Sequence, residues 1–291
     1  MQQIILNILI SSSLYLLVAL SFSLIYYTTK FFNIALAALI VFGSYFVYLF
    51  SVQLNFPFLF AVILSVLIVI ILGILNELLV FYHLRKKSVS SLKYFIASLG
   101  LYVILQNCVS LYFGDDSKVI NNTEVLVGNK IFSVYITNIQ LLTLFISSVL
   151  FISINLVLQK TKIGKSIRAV ESNVNLCKIY GINEERIILI SVCLSSFLAA
   201  IVGILSAFDT NMSPTFGFNL LLYGLVVIII GGIGSTKGLI SGSLLISSVQ
   251  HFSAYYIDSK WMDLVTYIIL ISFLILKPLG FSGKRLRKVE I

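Results

Sequence analysis

The sequence predicts an all-α fold, a polytopic transmembrane helical bundle of about eight to ten spans. Three observations lead there. Hydrophobic residues make up 59% of the 291 and charged residues only 11%, whereas a soluble domain carries about 25% charged residues. Mean hydropathy is +1.06, so far more apolar material is present than one aqueous core needs, and lipid is the solvent that accepts it. The net charge of +9 is not spread evenly but gathers in a few loops, as orientation in a membrane requires.

A helix needs about 20 apolar residues to cross a bilayer. The stretches that meet this are 4–28, 32–52, 57–80, 94–113, 139–158, 187–207, 218–232, 239–257 and 264–279. The first has no positive residue before Lys30, so it reads as an uncleaved span rather than a signal peptide. Residues 31–76 carry no charge, enough for two spans. Gln53–Pro57 supplies the turn between them, because proline disfavours helix at the residue before it. The last span is short, and Lys277 near its end can snorkel to the headgroups.

Alternate loops then divide the charge. One set holds Lys30, Arg85, Lys86, Lys87, Lys93, the six basic residues of 159–186, Lys237 and the five from Lys277 onward, 17 of the 20 Lys and Arg. The other holds Lys118, Lys130 and Lys260. The positive-inside rule makes the first set cytoplasmic, with the amino terminus outside and the carboxyl terminus inside. The whole chain, 1–291, reads as a single transmembrane domain with a long outer loop, 114–138, and a long inner loop, 159–186. The outer loop carries Asp115, Asp116 and Glu124. In the inner one, Ile163, Ile167, Val170, Val174, Cys177 and Gly181 recur in steps of three or four, which is helical spacing. That helix offers one face to a partner or to the membrane surface.

Enzyme chemistry is poorly represented. The motifs Gly-x-Ser-x-Gly and His-Glu-x-x-His do not occur. His83 reads as a solvated loop residue, and His251, beside Gln250, as a hydrogen-bonded packing residue. Cys108, Cys177 and Cys193 have no paired spacing, so neither a disulfide framework nor a zinc site is indicated. In Gly231–Gly238 the lysine precedes the glycine, the reverse of the order in a phosphate loop. All eleven acids fall in loops or at span ends, with Glu77 read as an interfacial acid. A proton-coupled carrier commonly keeps a titratable group at depth, so uphill transport would draw its energy from elsewhere.

Uncharged polar residues do occupy spans: Asn33, Asn76, Gln106, Asn107 and Gln250. They either line a solute path or join helices, since polar groups in lipid need partners or water. Gly234, Gly238 and Gly242 recur every four residues and would form one packing stripe on a helix. Gly231, Gly232 and Gly234 could instead form a bend or broken helix.

Four stretches resemble the permease subunits of high-affinity branched-chain amino acid ABC transporters. They are Phe95–Leu101 running on to Leu105-Gln106-Asn107 and Phe113-Gly114; Thr161–Val170 followed by Tyr180–Asn183; Ser213–Phe218; and Gly231–Ser235 through Gly238 and Gly242. One run departs from the family, which usually shows Asn-Phe-Ala-His-Gly after the first span, where this chain has Asn33-Ile34-Ala35-Leu36-Ala37. The resemblance implies a non-enzymatic subunit of an ATP-driven importer in a bacterial inner membrane. It implies partners: a second permease, cytoplasmic ATPases and an extracytoplasmic solute-binding protein. It implies no cofactor on this chain, ATP being used by the ATPases, and no nucleic acid. It makes the inner loop a coupling element with Arg168, Ala169, Glu171 and Gly181 on its docking surface, Gly164 opening the helix and Gly181 ending it. Asn33, Gln106 and Asn107 are the candidate solute path, and two half-channels would rock around a midplane site. Urea and nucleoside permeases look similar at this level. A stand-alone channel or ion-coupled carrier, and a scaffold without transport, are the other readings.

Overall fold

The computed structural model describes residues 1–87, 89–120, 129–131, 134–232, 234–277 and 280–281. Glu124, Ile233 and the basic residues Lys284, Arg285, Arg287 and Lys288 lie outside the described residues. Every apolar stretch marked in the sequence contains a helix. The helices are α1 (Gln2–Thr29), α2 (Leu36–Tyr48), α3 (Phe58–Asn76), α4 (Tyr82–Lys86), α5 (Ser91–Phe113), α6 (Asn138–Lys160), α7 (Lys162–Ser172), α8 (Val174–Ile179), α9 (Glu184–Asp209), α10 (Phe216–Gly231), α11 (Thr236–Tyr256) and α12 (Met262–Leu276). Among the described residues, seven helical stretches are long and apolar enough to cross a membrane. Helix α10 has 16 residues, and α11 is diluted by its serines, Gln250 and His251. The chain is a multi-pass membrane protein.

Two π-helical turns interrupt the regular pattern. Leu49–Gln53 ends α2, and Glu77–Phe81 joins α3 to α4, so the helical run continues to Lys86. The Gln53–Pro57 turn forms: Asn55 takes a left-handed conformation (φ 54°) and Pro57 caps α3. The outer loop carries local pairing among its described residues. It contains an antiparallel hairpin of β1 (Asn129–Ile131) and β2 (Val134–Ile136), and Lys118 pairs with Met212 through two backbone hydrogen bonds of 2.9 and 3.0 Å.

The chain divides into two compact units. The first comprises Met1–Ser23, Val125–Asn155 and Leu222–Ile291, and the second Leu24–Glu124 and Leu156–Leu221. In the second unit α2, α3 and α9 pack against one another, and at two glycines the backbones of α2 and α9 meet with no side chain between them. A Cβ on Gly43 would lie 2.6 Å from the Ala200 carbonyl oxygen, and one on Gly203 would strike that of Ile40. The Ser65 hydroxyl donates to the Gly43 carbonyl at 2.7 Å, tying α3 to α2. Such approaches are how small residues bind helices together where lipid removes the hydrophobic drive between them.

In the first unit α1 meets α11 through polar pairs. Ser247 donates to the Ile8 carbonyl at 2.7 Å, Ser11 hydrogen-bonds His251 at 2.9 Å, and the Tyr15 hydroxyl donates to Gln250 Oε1 at 2.7 Å. Helices α10 and α11 touch through Gly231, Gly238 and Gly242, where an added Cβ would collide with the facing backbone. Gly234 does not join that stripe. It has φ 91° in the turn before α11, as Gly232 has φ 89°, and Ser235 caps α11 by accepting from Gly238 N at 3.1 Å. The helix starts two residues beyond Gly234, so the glycine serves the bend.

Candidate functional site

The inner loop folds as two short helices, not one. Thr161 caps α7 by accepting from the Gly164 amide at 3.1 Å. A side-chain oxygen at that position satisfies one of the amides a helix start leaves free. Gly164 is thus the cap's donor, and it lies where a Cβ would hit the carbonyls of Val157 and Leu158; the helix opens at Lys162, ahead of it. Asn173, with extended backbone (φ −160°, ψ 108°), separates α7 from α8. At the far end Gly181 has φ 73°. Its amide donates to the Lys178 carbonyl at 3.1 Å and that of Ile182 to Cys177 at 2.9 Å. This paired closure needs a left-handed residue, and glycine adopts it without a Cβ penalty. Asn183 then caps α9 by accepting from Arg186 N at 3.2 Å.

The buried face carries Gly164, Ile167, Val170 and Cys177, and burial raises the Cys177 thiol pKa. The outward face carries Lys162, Lys165 and Arg168, whose guanidinium donates to the Gln159 carbonyl at 3.3 Å. Ala169 and Glu171 lie at the edge between these faces. Next to them, Leu176, Ile179 and Tyr180 are bare, the last two 78% and 80% exposed. Apolar side chains gathered on one exposed surface and rimmed by charge mark an interaction site. Sequence reasoning missed these three because it followed the helical period, and they fall off it. Their signal was the apolar pair Ile179-Tyr180 placed directly before a helix-stopping glycine in a basic loop.

Inward of the loop is a cavity of about 150 Å³, lined among others by Lys30, Arg85, Tyr94, Val170, Val174 and Glu184. Lys30 is partly buried and left-handed (φ 59°). Loss of hydration lowers its pKa, and the Glu171 carboxylate partly offsets this. Arg85 is ion-paired to Glu77, which is 2% exposed. Glu77 is therefore a buried, paired carboxylate, and Arg85 lies on the same helical run. Lys178 bridges to Glu184 at 2.9 Å.

The three candidate path residues do not come together. Asn33 is buried, and its side chain accepts from the Ala35 amide at 3.1 Å, shaping the entry to α2. Its neighbour Ile34 donates to Ser98 at 3.2 Å, and Gln106 and Asn107 lie about 12 Å or more further along α5 at 1.5 Å per residue. Asn107 is exposed and donates to its own helix at Val103 O, 2.7 Å. The denser polar constellation is in the first unit, where Tyr15, Gln250, Ser11 and His251 are joined by Tyr223, which hydrogen-bonds Asp263 and lies 5.1 Å from the Tyr15 ring. Here Gln250 and His251 join helices.

A many-helix membrane chain with a capped helical loop exposing apolar and basic side chains is an architecture that transport subunits use. The chain belongs to the family described as branched-chain amino acid transport system, permease component, whose profile matches residues 4–274. It is 26% identical over 194 residues to the high-affinity branched-chain amino acid transport system permease protein LivH of Escherichia coli K12, covering 65% of this chain and 63% of that one. It is 25% identical over 297 residues to BraD of Pseudomonas aeruginosa, covering 98% and 96%. It is 28% identical over 297 residues to a probable LivH of Methanocaldococcus jannaschii, covering 97% and 92%. The alignment thus spans less than two thirds of the length of LivH. No solved structure matches.

Proposed function

We propose that this chain is a permease subunit of an ATP-driven importer for branched-chain or other hydrophobic amino acids. The carrying observation is the family match over residues 4–274 together with relatives that align along nearly the full chain and bear that activity in their names. In this reading 1–291 is one permease domain of nine spans in a bacterial inner membrane. Its amino terminus lies outside, its carboxyl terminus inside, and loop 159–186 faces the cytoplasm, because 17 of the 20 Lys and Arg fall on that side. The surface formed by Arg168, Ala169, Glu171, Ile179, Tyr180 and Gly181 docks an ATPase. A second permease completes the pathway, and a binding protein outside delivers the solute. The chain binds no cofactor; ATP is consumed by the partner.

A specific observation favours a second solute class. Leu36-Ala37 stands where the family usually has His-Gly, and a xylose transport system permease protein, XylH of Haemophilus influenzae, is 33% identical over 115 residues, 37% of this chain and 31% of its own length. A small polar solute is the alternative cargo of the same machine.

The test is co-expression with candidate ATPases, pull-down, and uptake of labelled leucine against labelled xylose and urea in vesicles. ATP-dependent leucine uptake that fails when Arg168→Glu is combined with Gly181→Pro supports the reading. Uptake driven by an ion gradient with this chain alone sinks it.

A further inference from the structure

The cavity inward of α7 and α8 carries an inference that goes beyond the transport reading and depends on neither the cargo nor the ATPase. Three helices long and apolar enough to cross a membrane end or begin at its wall: α1 closes at Thr29, α5 brings Tyr94 from its first turn and α9 brings Glu184. A cavity bounded by the ends of membrane spans lies at headgroup depth. Its volume of about 150 Å³ is far above the ~10–15 Å³ that one water needs, so it has room for a larger polar group.

The charges around it do not balance. Arg85 is ion-paired to Glu77, and Glu184 to Lys178 at 2.9 Å, so both pairs are neutral. Lys30 has no carboxylate within ion-pair distance among the described residues, and Glu171 offsets only part of the hydration it has lost. Its backbone is left-handed at φ 59°, and its amide donates to the Tyr26 carbonyl at 3.0 Å, so the side chain starts from a fixed point. A partly buried cation without a counter-ion costs free energy that an entering anion offsets. Thr28 and Thr29 spend their hydroxyl hydrogens on the Ile25 carbonyl, at 3.1 and 2.8 Å, which leaves Lys30 and Arg85 to donate. A guanidinium carries five N–H donors, of which Glu77 engages those on Nη2, and its fork suits phosphate oxygens. One uncompensated positive charge matches the single negative charge of a phosphodiester better than the roughly 1.5 to 2 charges of a phosphate monoester. Phe31, Val170, Val174 and Ile188 make other parts of the wall apolar, which suits the glycerol end of a lipid better than a fully hydrated ion.

We propose that this cavity is a binding site for the phosphodiester of an anionic phospholipid headgroup, held by the Lys30 ammonium and the spare donors of Arg85. Basic pockets between membrane helices recognise such headgroups. A diffuse basic surface attracts them too, but without distinguishing one lysine from another.

The experiment uses the full chain, purified in detergent and stripped of lipid. It is titrated with short-chain phosphatidylglycerol, with short-chain phosphatidylcholine, whose own ammonium already neutralises the phosphate, or with inorganic phosphate. Native mass spectrometry reads the bound lipid, and the unfolding midpoint reads its effect. Phosphatidylglycerol is expected to bind about tenfold or more tighter than phosphatidylcholine and to raise the midpoint. Lys30→Asn removes the charge but suits the left-handed backbone, and it is expected to weaken phosphatidylglycerol binding about tenfold or more. Lys93→Asn, on the exposed start of α5, is expected to stay within about threefold of wild type, as a lysine outside the cavity should. Should Lys30→Asn not fold, Lys30→Gly, which is free in that backbone, replaces it. Equal binding of the two lipids, or an equal loss in Lys93→Asn, overturns the site in favour of diffuse attraction. Displacement of the lipid by millimolar inorganic phosphate overturns it in favour of a soluble anion. Each of these outcomes leaves the transport reading standing.

Discussion

Helices α5 and α9 are of similar length and both are apolar enough to span a membrane, yet their surroundings differ. In its most apolar stretch α9 is 67% buried and α5 only 17%. The glycines follow suit. Gly203 of α9 is pressed against the Ile40 carbonyl, whereas a Cβ on Gly100 of α5 would meet nothing within 4 Å. Composition identifies a helix that crosses lipid, but it does not say what lies beside it. The difference also bears on Gln106 and Asn107, which sit on the open helix, where an amide against hydrocarbon is costly.

The largest expected effect is at the closed helix. Gly203→Val puts branched carbons into the Ile40 backbone, and a loss of about 3 kcal/mol or more, beyond ordinary overpacking, is expected. Thermal unfolding in detergent checks it; an unchanged midpoint would mean that α2 and α9 do not touch as described. Glu77→Ala strands Arg85 beside a buried site, and removing one partner of a buried ion pair costs about 3 kcal/mol. Glu77→Ala combined with Arg85→Met should recover part of the loss in the same assay. Gly43→Ala adds one carbon 2.6 Å from the Ala200 carbonyl, for an expected loss of about 1–2 kcal/mol. The smallest effect, and of opposite sign, is at the open helix: Gly100→Ala should stabilise by about 0.5–1 kcal/mol through helix propensity alone. Destabilisation there would show that α5 is approached closely after all.

Much of the fold was legible because lipid imposes a coarse rule on sequence. Each of the nine apolar stretches contains a helix, and the break at Pro57 and the stop at Gly181 were written in those residues. What was not legible shares one cause. The bond of Asn33 to the Ala35 amide leaves no mark in the sequence, and neither does Arg85 turning back to Glu77 along the same helical run. Gly234 keeps the four-residue spacing of a packing stripe, and the structure decides for the alternative bend, because Ser235 caps an α11 that starts only at Thr236. Such roles are set by what the chain brings alongside, and a single sequence records that only faintly. The split at Asn173 and the bare Ile179 and Tyr180 were hidden for the opposite reason: the regular period drew attention to the other face.

The near-contact of peptide groups at Gly43 with Ala200 and at Gly203 with Ile40 has a mechanical meaning. At these two points no side chain stands between the backbones to switch rotamers, and cores packed this closely transmit strain instead of absorbing it. A force that reaches one of these rods there passes to the other, as through the arms of a forged lever.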